Sequence, residues 1–247
     1  MKKNSNHTEL KQHLIKRGFL RHTREFIRNK TKRTAKDIDH IIIDISPSVC
    51  SSLAVWPGDT ALERKVLCDI SQGSNIDLST LIATVHLGAH ADAPRHFDSA
   101  GATIDLVPLL PYIGRCYVHT VTGKSMITAE DCLVPISSQA KRVLFRTDSF
   151  PDPTQFNTDF TAFTPEAIDA LGRAGVILVG IDTPSVDPFS SKNLPAHQTL
   201  RKHNMLNLEG LVLSQIDDGF YELIALPLRL KGFDASPVRA VLRTNRS

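Results

Sequence analysis

The chain has 247 residues, 41% hydrophobic and 22% charged, an ordinary globular composition that excludes bulk disorder and fibrous classes. No apolar run approaches the roughly 18 residues of a membrane span, so an integral membrane protein is excluded too. The formal net charge of +3 hides an asymmetry: residues 1–36 hold 12 Lys/Arg against 2 Asp/Glu and the remainder 17 against 24, so the basic character belongs to an arm and gives no ground for nucleic-acid binding by the core.

Residues 1–36 lack the apolar centre of a secretory signal. Leu10, Leu14, Phe19, Phe26 and Ile27 form a weak helical stripe among lysines and arginines. Three readings stand: a solvated, partly helical extension, an arm for an acidic partner, membrane surface or nucleic acid, or a targeting peptide. The partner of such an arm is not specified by sequence. A single domain is expected over residues 37–247. Ile41–Ile45 reads as a buried strand closed by Ser46-Pro47. Trp56-Pro57-Gly58-Asp59 reads as a type II turn, with Pro-Gly at its centre. Residues 79–87 alternate and are β-branched, which suits a strand, and residues 117–121 and 143–146 suit two more. Thr164 is an N-cap with Pro165 at the first helical position. Residues 176–181 suit a strand covered on both faces. A short helix follows over 195–204, then strands over 208–213 and 221–226. Many strands with few helices point to one α/β domain with a mixed or barrel-like sheet. Cys50, Cys68, Cys116 and Cys132 form no CxxC pair and read as reduced and mostly buried.

Serine-hydrolase elbows, Walker A loops, GxGxxG turns and HExxH helices are absent. The segment His86-Leu87-Gly88-Ala89-His90-Ala91-Asp92-Ala93-Pro94-Arg95-His96-Phe97 gathers three of the ten histidines around an aspartate. His86, His90 and Asp92 are the residue types that bind divalent metals. Gly88 and Pro94 oppose a helix, and a straight strand would hold His86 and His90 ~13 Å apart. The chain is therefore expected to bend at Gly88, after which His90 and Asp92 point the same way. His197, near a helix N-terminus that disfavours imidazolium, and Glu209, a carboxylate inside an apolar run, are further candidates. The plainer readings are surface histidines at a strand end, a capping His197, Glu209 on a solvated strand face, and Trp56 as a half-buried turn residue.

His86–Phe97 resembles the HxGxHxDxP motif of the metal-dependent cyclase-type hydrolases. Within that group the chain resembles the bacterial-type, metal-dependent kynurenine formamidases (arylformamidases) from about Asp44 to Arg243. The likeness runs through Asp44–Pro47, Trp56–Thr60, Gly180–Pro188, Ala196-His197, Leu208–Leu213, Tyr221–Leu228 and Asp234–Ala240. It implies a swivelling β/β/α fold, a homodimer, a cytoplasmic location and two divalent ions per chain, zinc or, in its place, manganese. His86, His90 and Asp92 match the family's first ligand cluster, with Asp92 a candidate bridge. His197 and Glu209 match the second cluster, and His96 matches the catalytic histidine. Leu87 and Arg95 depart from the family's usual residues, and the basic extension has no counterpart. The implied reaction is hydrolysis of N-formyl-L-kynurenine, an aryl formamide, to L-kynurenine and formate in tryptophan degradation. His96 would move the proton from water to the departing aniline nitrogen, and Trp56 is placed to stack on the aryl ring. The alternatives are a hydrolase of a cyclic amide or lactone such as isatin, and a metal-dependent binding protein without turnover. No reading needs nucleic acid or membrane as a partner of the core.

Overall fold

The computed structural model describes residues 40–245; the basic extension lies outside them. Residues 42–244 form one compact unit. Its strands are β1 (His40–Asp44), β2 (Glu63–Cys68), β3 (Leu78–Ile82), β4 (His90–Asp92), β5 (Ile113–Thr120), β6 (Met126–Ile127), β7 (Arg142–Arg146), β8 (Ala162–Phe163), β9 (Leu178–Ile181), β10 (Leu206–Glu209), β11 (Gly219–Ile224), β12 (Ala235–Pro237) and β13 (Val241–Asn245). The α-helices are α1 (Leu133–Ser137), α2 (Pro165–Arg173) and α3 (Pro195–Lys202). Nine strands form a mixed sheet in the order β1-β13-β11-β5-β7-β9-β10-β4-β12, which curls into a half-barrel. This is the α/β, barrel-like core that many strands and few helices imply. No helix among the described residues is long and apolar enough to cross a membrane.

The centre of the sheet, β5-β7-β9-β10, is parallel, and antiparallel strands flank it. Period-two alternation divides the core. Val143, Phe145, Val179 and Ile181 pack with Ile168 and Leu171 of α2 and Leu200 of α3. Leu144 and Leu178 join Ala91 and Leu208 on the other face. Every residue of β9 is buried, as a doubly covered parallel strand requires. Helix α2 starts as its sequence dictates: Thr164 Oγ1 accepts from Ala167 N at 3.2 Å and Pro165 follows. Asp169 on α2 accepts from Lys202 Nζ at 2.7 Å and His203 Nε2 at 2.9 Å, tying the two helices together.

Several local expectations change. The strand expected over 79–87 stops at Ile82, because its partner β2 begins at Glu63, directly opposite. The β2–β3 pair is a separate ribbon exposing Val66, Leu67 and Leu81. Strand β1 is an edge strand, not a buried one; Ile41 and Ile42 are exposed, and Ile45, beyond its end, is the buried residue. The strand expected over 208–213 runs over Leu206–Glu209 and ends at Gly210, whose φ is +64°. All four cysteines are free, but only Cys116 and Cys132 are buried. The Pro57-Gly58 turn forms as expected: Asp59 N donates to Trp56 O at 2.9 Å with Gly58 at φ +95°.

Candidate metal centre

The bend expected at Gly88 is present, at φ +59°. Beyond it β4 runs extended, and His90 and Asp92 point to one side. Ala93 stays extended ahead of Pro94, and the 3₁₀ turn Pro94–His96 carries His96 back toward His86, with ring centroids 4.2 Å apart. On one flank β10 pairs antiparallel with β4, setting Glu209 opposite His90. Asn207, two residues earlier, shares the face of Glu209. Its Nδ2 donates to Asp92 Oδ2 at 2.7 Å and to Glu209 Oε1 at 2.9 Å, bridging two buried carboxylates. On the other flank β12 pairs Ala235 with Asp92, which brings Asp234 alongside.

His197 arrives from α3. The residue before that helix, Leu194, offers no side-chain cap. Asp187 caps it instead, accepting from Ala196 N at 2.9 Å and His197 N at 3.1 Å. The same carboxylate accepts from His197 Nδ1 at 2.7 Å. Each inward histidine is anchored in this way. His90 Nδ1 donates to Gly88 O at 2.8 Å and His86 Nε2 to Asp234 Oδ2 at 3.0 Å. These anchors fix the tautomer and turn the opposite nitrogens inward. His86 Nδ1 lies 3.1 Å from Asp92 Oδ1, and His90 Nε2 lies 3.5 Å from Asp92 Oδ1 and 3.3 Å from Glu209 Oε2. His197 Nε2 lies 3.3 Å from Asp92 Oδ2 and 3.4 Å from Glu209 Oε1.

Lone pairs of neutral imidazoles facing carboxylate oxygens at such distances repel unless positive charge lies among them. Asp92 Oδ1 is buried without a hydrogen-bond partner. Protons on the rings supply that charge one ring at a time; a divalent cation supplies it to all of them. Two sets of ligand atoms lie within 4.8 Å of one another, His86/Asp92/His96 and His90/Asp92/Glu209, and Asp92 belongs to both. The donor set of imidazole and carboxylate suits zinc-like ions. The residues present therefore fit the metal that the motif implies.

Without a metal, the cluster holds its charge on the rings. Burial would lower the His86 pKa, but Asp92 and Asp234 outweigh it and raise it to about 9. Burial likewise opposes charge on His197, yet Asp187, Asp92 and Glu209 hold its pKa well above the usual imidazole value. The α3 N-terminus disfavours charge on His197, but in the metal-free cluster the three close carboxylates act the other way and prevail over it. Burial pushes the Asp92 carboxyl up, but the imidazoles of His197, His86 and His90 beside it hold it well below its ordinary range.

His86, His90, His96, His197 and Glu209 open onto a cavity of about 740 Å³, whose wall includes Trp56. Trp56 is half-buried against Phe156 and Phe189, with centroids 5.4 and 5.0 Å away. The structure therefore brings together all seven residues singled out from sequence: six in one cluster or beside it, and Trp56 on the adjoining wall. His96 differs from the rest in being exposed; its Nδ1 lies 3.4 Å from Asp234 Oδ2. Asp187, Asn207 and Asp234 carry roles that no spacing assigns. The one local signal among them is Asn207 at i−2 from Glu209.

A family model described as a putative cyclase matches residues 43–188. A solved structure of a potential metal-dependent hydrolase with cyclase activity is 27% identical, with a TM-score of 0.72 over 84% of this chain and 99% of that one. A predicted metal-dependent hydrolase from Bacillus stearothermophilus is also 27% identical, with a TM-score of 0.72 over 83% of this chain and 99% of that one. Isatin hydrolase A from Labrenzia aggregata, bound to benzyl benzoate, shares the fold at 21% identity, with a TM-score of 0.73 over 88% and 99%.

Proposed function

Because the chain belongs to the putative cyclase family, we propose that it is a metal-dependent amide hydrolase whose substrate is N-formyl-L-kynurenine, released as L-kynurenine and formate. The observation that carries this reading is the unpartnered Asp92 Oδ1 among inward-facing imidazoles, beside an aromatic-walled cavity. His86, His90, Asp92, His197 and Glu209 would hold two divalent ions, with Asp92 shared. Such ions, when bound, polarise an amide carbonyl and ease the ionisation of water.

The chain's own groups do the rest. Asp234 accepts from His96 Nδ1 and leaves Nε2 as the base. That nitrogen takes a proton from the attacking water and returns it to the aniline nitrogen as the C–N bond breaks. Trp56, braced by Phe156 and Phe189, offers the aryl ring a rigid face. Asn207 keeps two carboxylates side by side at the ion site. The exposed apolar side chains of the β2–β3 ribbon accord with a homodimer.

Hydrolysis of a cyclic aryl amide such as isatin would use the same cluster and a differently shaped wall. The test is a metal-replete assay on both substrates. Preference for formylkynurenine is expected; preference for isatin reassigns the substrate, and turnover of neither at full metal occupancy overturns the hydrolase reading.

A further inference from the structure

The wall of the cavity away from the histidine cluster's own strands carries an ion pair that the hydrolytic reading leaves unused. Arg146 ends β7, in the parallel centre of the sheet, and both it and Asp148 line the cavity. In open α/β sheets the carboxyl ends of parallel strands are where ligands sit. Arg146 Nε donates to Asp148 Oδ1 at 3.0 Å and Oδ2 at 2.9 Å, Nη2 donates to Oδ2 at 2.7 Å, and Nη1 donates to Ile216 O at 3.3 Å. A guanidinium has five N–H groups. Among the described residues, one N–H on each terminal nitrogen thus remains without an acceptor. A guanidinium whose Nε/Nη2 fork is on Asp148 and which still has N–H donors to spare beside a cavity can take a second carboxylate. The two side chains are 25% and 34% exposed, reachable from the cavity yet partly desolvated.

The corner is built, and at a conformational cost. Asp148 sits at φ +52°, a left-handed conformation uncommon outside glycine and tolerated best by Asn and Asp. Asp182, buried after the end of β9, holds it there. Its Oδ2 accepts from Thr147 N at 2.8 Å and Asp148 N at 3.0 Å, and its Oδ1 from Thr147 Oγ1 at 2.6 Å. Strained residues held by surrounding bonds gather at binding sites. An ordinary surface ion pair needs neither the strain nor a buried bracket.

We propose that Arg146 and Asp148 form a subsite for a zwitterionic α-amino acid: the guanidinium takes the substrate's carboxylate and the Asp148 carboxylate its ammonium. The substrate class is then an aryl amide bearing an amino-acid arm, and Arg146 and Asp148 are the residues that determine this specificity. The assignment rests on the hydrolase reading for the identity of the reacting amide, while its own evidence is the geometry of this corner.

The test measures binding as well as turnover, on the full-length, metal-replete protein. Calorimetry compares L-kynurenine with 2-aminoacetophenone, the same aryl ketone without the amino-acid arm. Wild type is expected to favour L-kynurenine by about 100-fold, the worth of two charge-assisted contacts. Arg146→Met should cut that advantage to about 5-fold or less, and Arg146→Lys, which keeps the charge without the fork, to about 10-fold. Asp148→Asn, chosen because Asn tolerates the same φ, should weaken L-kynurenine but not 3-(2-aminobenzoyl)propionate, which has the carboxylate and no ammonium. Thermal melts report folding, and Arg146→Lys carries the comparison where Arg146→Met fails to fold. No advantage for L-kynurenine in wild type, or equal losses for both ligands in the Arg146 variants, overturns the subsite. Arg146-dependent binding without hydrolysis of formylkynurenine overturns the hydrolase reading alone. Hydrolysis with no such advantage overturns the subsite alone, and the absence of both overturns both.

Discussion

Replacing Asp187 separates a helix cap from a ligand anchor, because one fully buried carboxylate serves both. Its Oδ1 accepts from Ala196 N, and its Oδ2 from His197 N and His197 Nδ1. Asp187→Ala strips acceptors from three buried donors at about 1–3 kcal/mol each; water entering the hole recovers part, so a loss of about 3–6 kcal/mol is expected. Asp187→Asn keeps one acceptor oxygen. The cheaper orientation leaves that oxygen at the Oδ2 position, serving both His197 donors, and abandons only Ala196 N, for about 1–3 kcal/mol. The ring then stays anchored in Asn and comes free in Ala. Zinc affinity should fall about 10–100-fold in Asp187→Ala, as for other groups that orient a metal-binding histidine, and less in Asp187→Asn. Urea unfolding of the chelator-treated protein gives the first quantity, and competition with a chromophoric chelator gives the second. Equal stability losses in the two variants, or wild-type zinc affinity in Asp187→Ala, would refute the argument.

Purified protein should carry up to two divalent ions per chain, and chelation should abolish hydrolysis; full activity with no detectable metal contradicts the site. His96→Ala should keep its metal and lose turnover by about 10²–10⁴-fold; loss of metal instead would make His96 a ligand. At Gly210 an added Cβ would lie 2.3 Å from Gly88 O at a φ of +64°. Gly210→Ala should therefore cost about 2–5 kcal/mol in urea unfolding, and an unchanged midpoint would count against that close approach. Asp169 is held at about 2, chiefly by hydrogen bonds from Lys202 and His203. Because its folded pKa lies below the ordinary value of 3.8, its contribution is present above about pH 4 and fades as pH falls through 2. Asp169→Asn should thus melt below wild type at pH 6, with the gap closing toward pH 2; a constant gap would remove the ion pairs as its cause.

Local chemistry wrote part of this site plainly. The Gly88 bend, the shared face of His90 and Asp92 and the Pro57-Gly58 turn follow from backbone rules acting over a few residues. What those rules could not supply was pairing. Asn207 reaches Asp92, and Asp234 reaches His86, only because β10 and β12 take up antiparallel registers on either side of β4. No periodicity in residues 206–209 or 234–237 names those neighbours. The same gap explains the overlong strand at 79–87, where a strand forms but has no partner past Ile82. It also explains His197: a helix N-terminus is visible in sequence, whereas three carboxylates converging from β4, β10 and the loop before α3 are not.

The division of labour between strands has a consequence for how such a molecule changes over time. The candidate metal cluster comes from the Gly88 bend, β4 and the turn after it, β10, α3 and the segment beside β12, while the Arg146–Asp148 corner and the aromatic wall come from the end of β7, the loop after it and the Trp56 turn. The corner is braced by Asp182, which bonds to no member of the histidine cluster. Residues 146–160 are therefore open to replacement without touching a ligand or its anchor. Chemistry and selectivity become separately heritable, and a new substrate becomes reachable by rebuilding one rim while the reaction underneath continues.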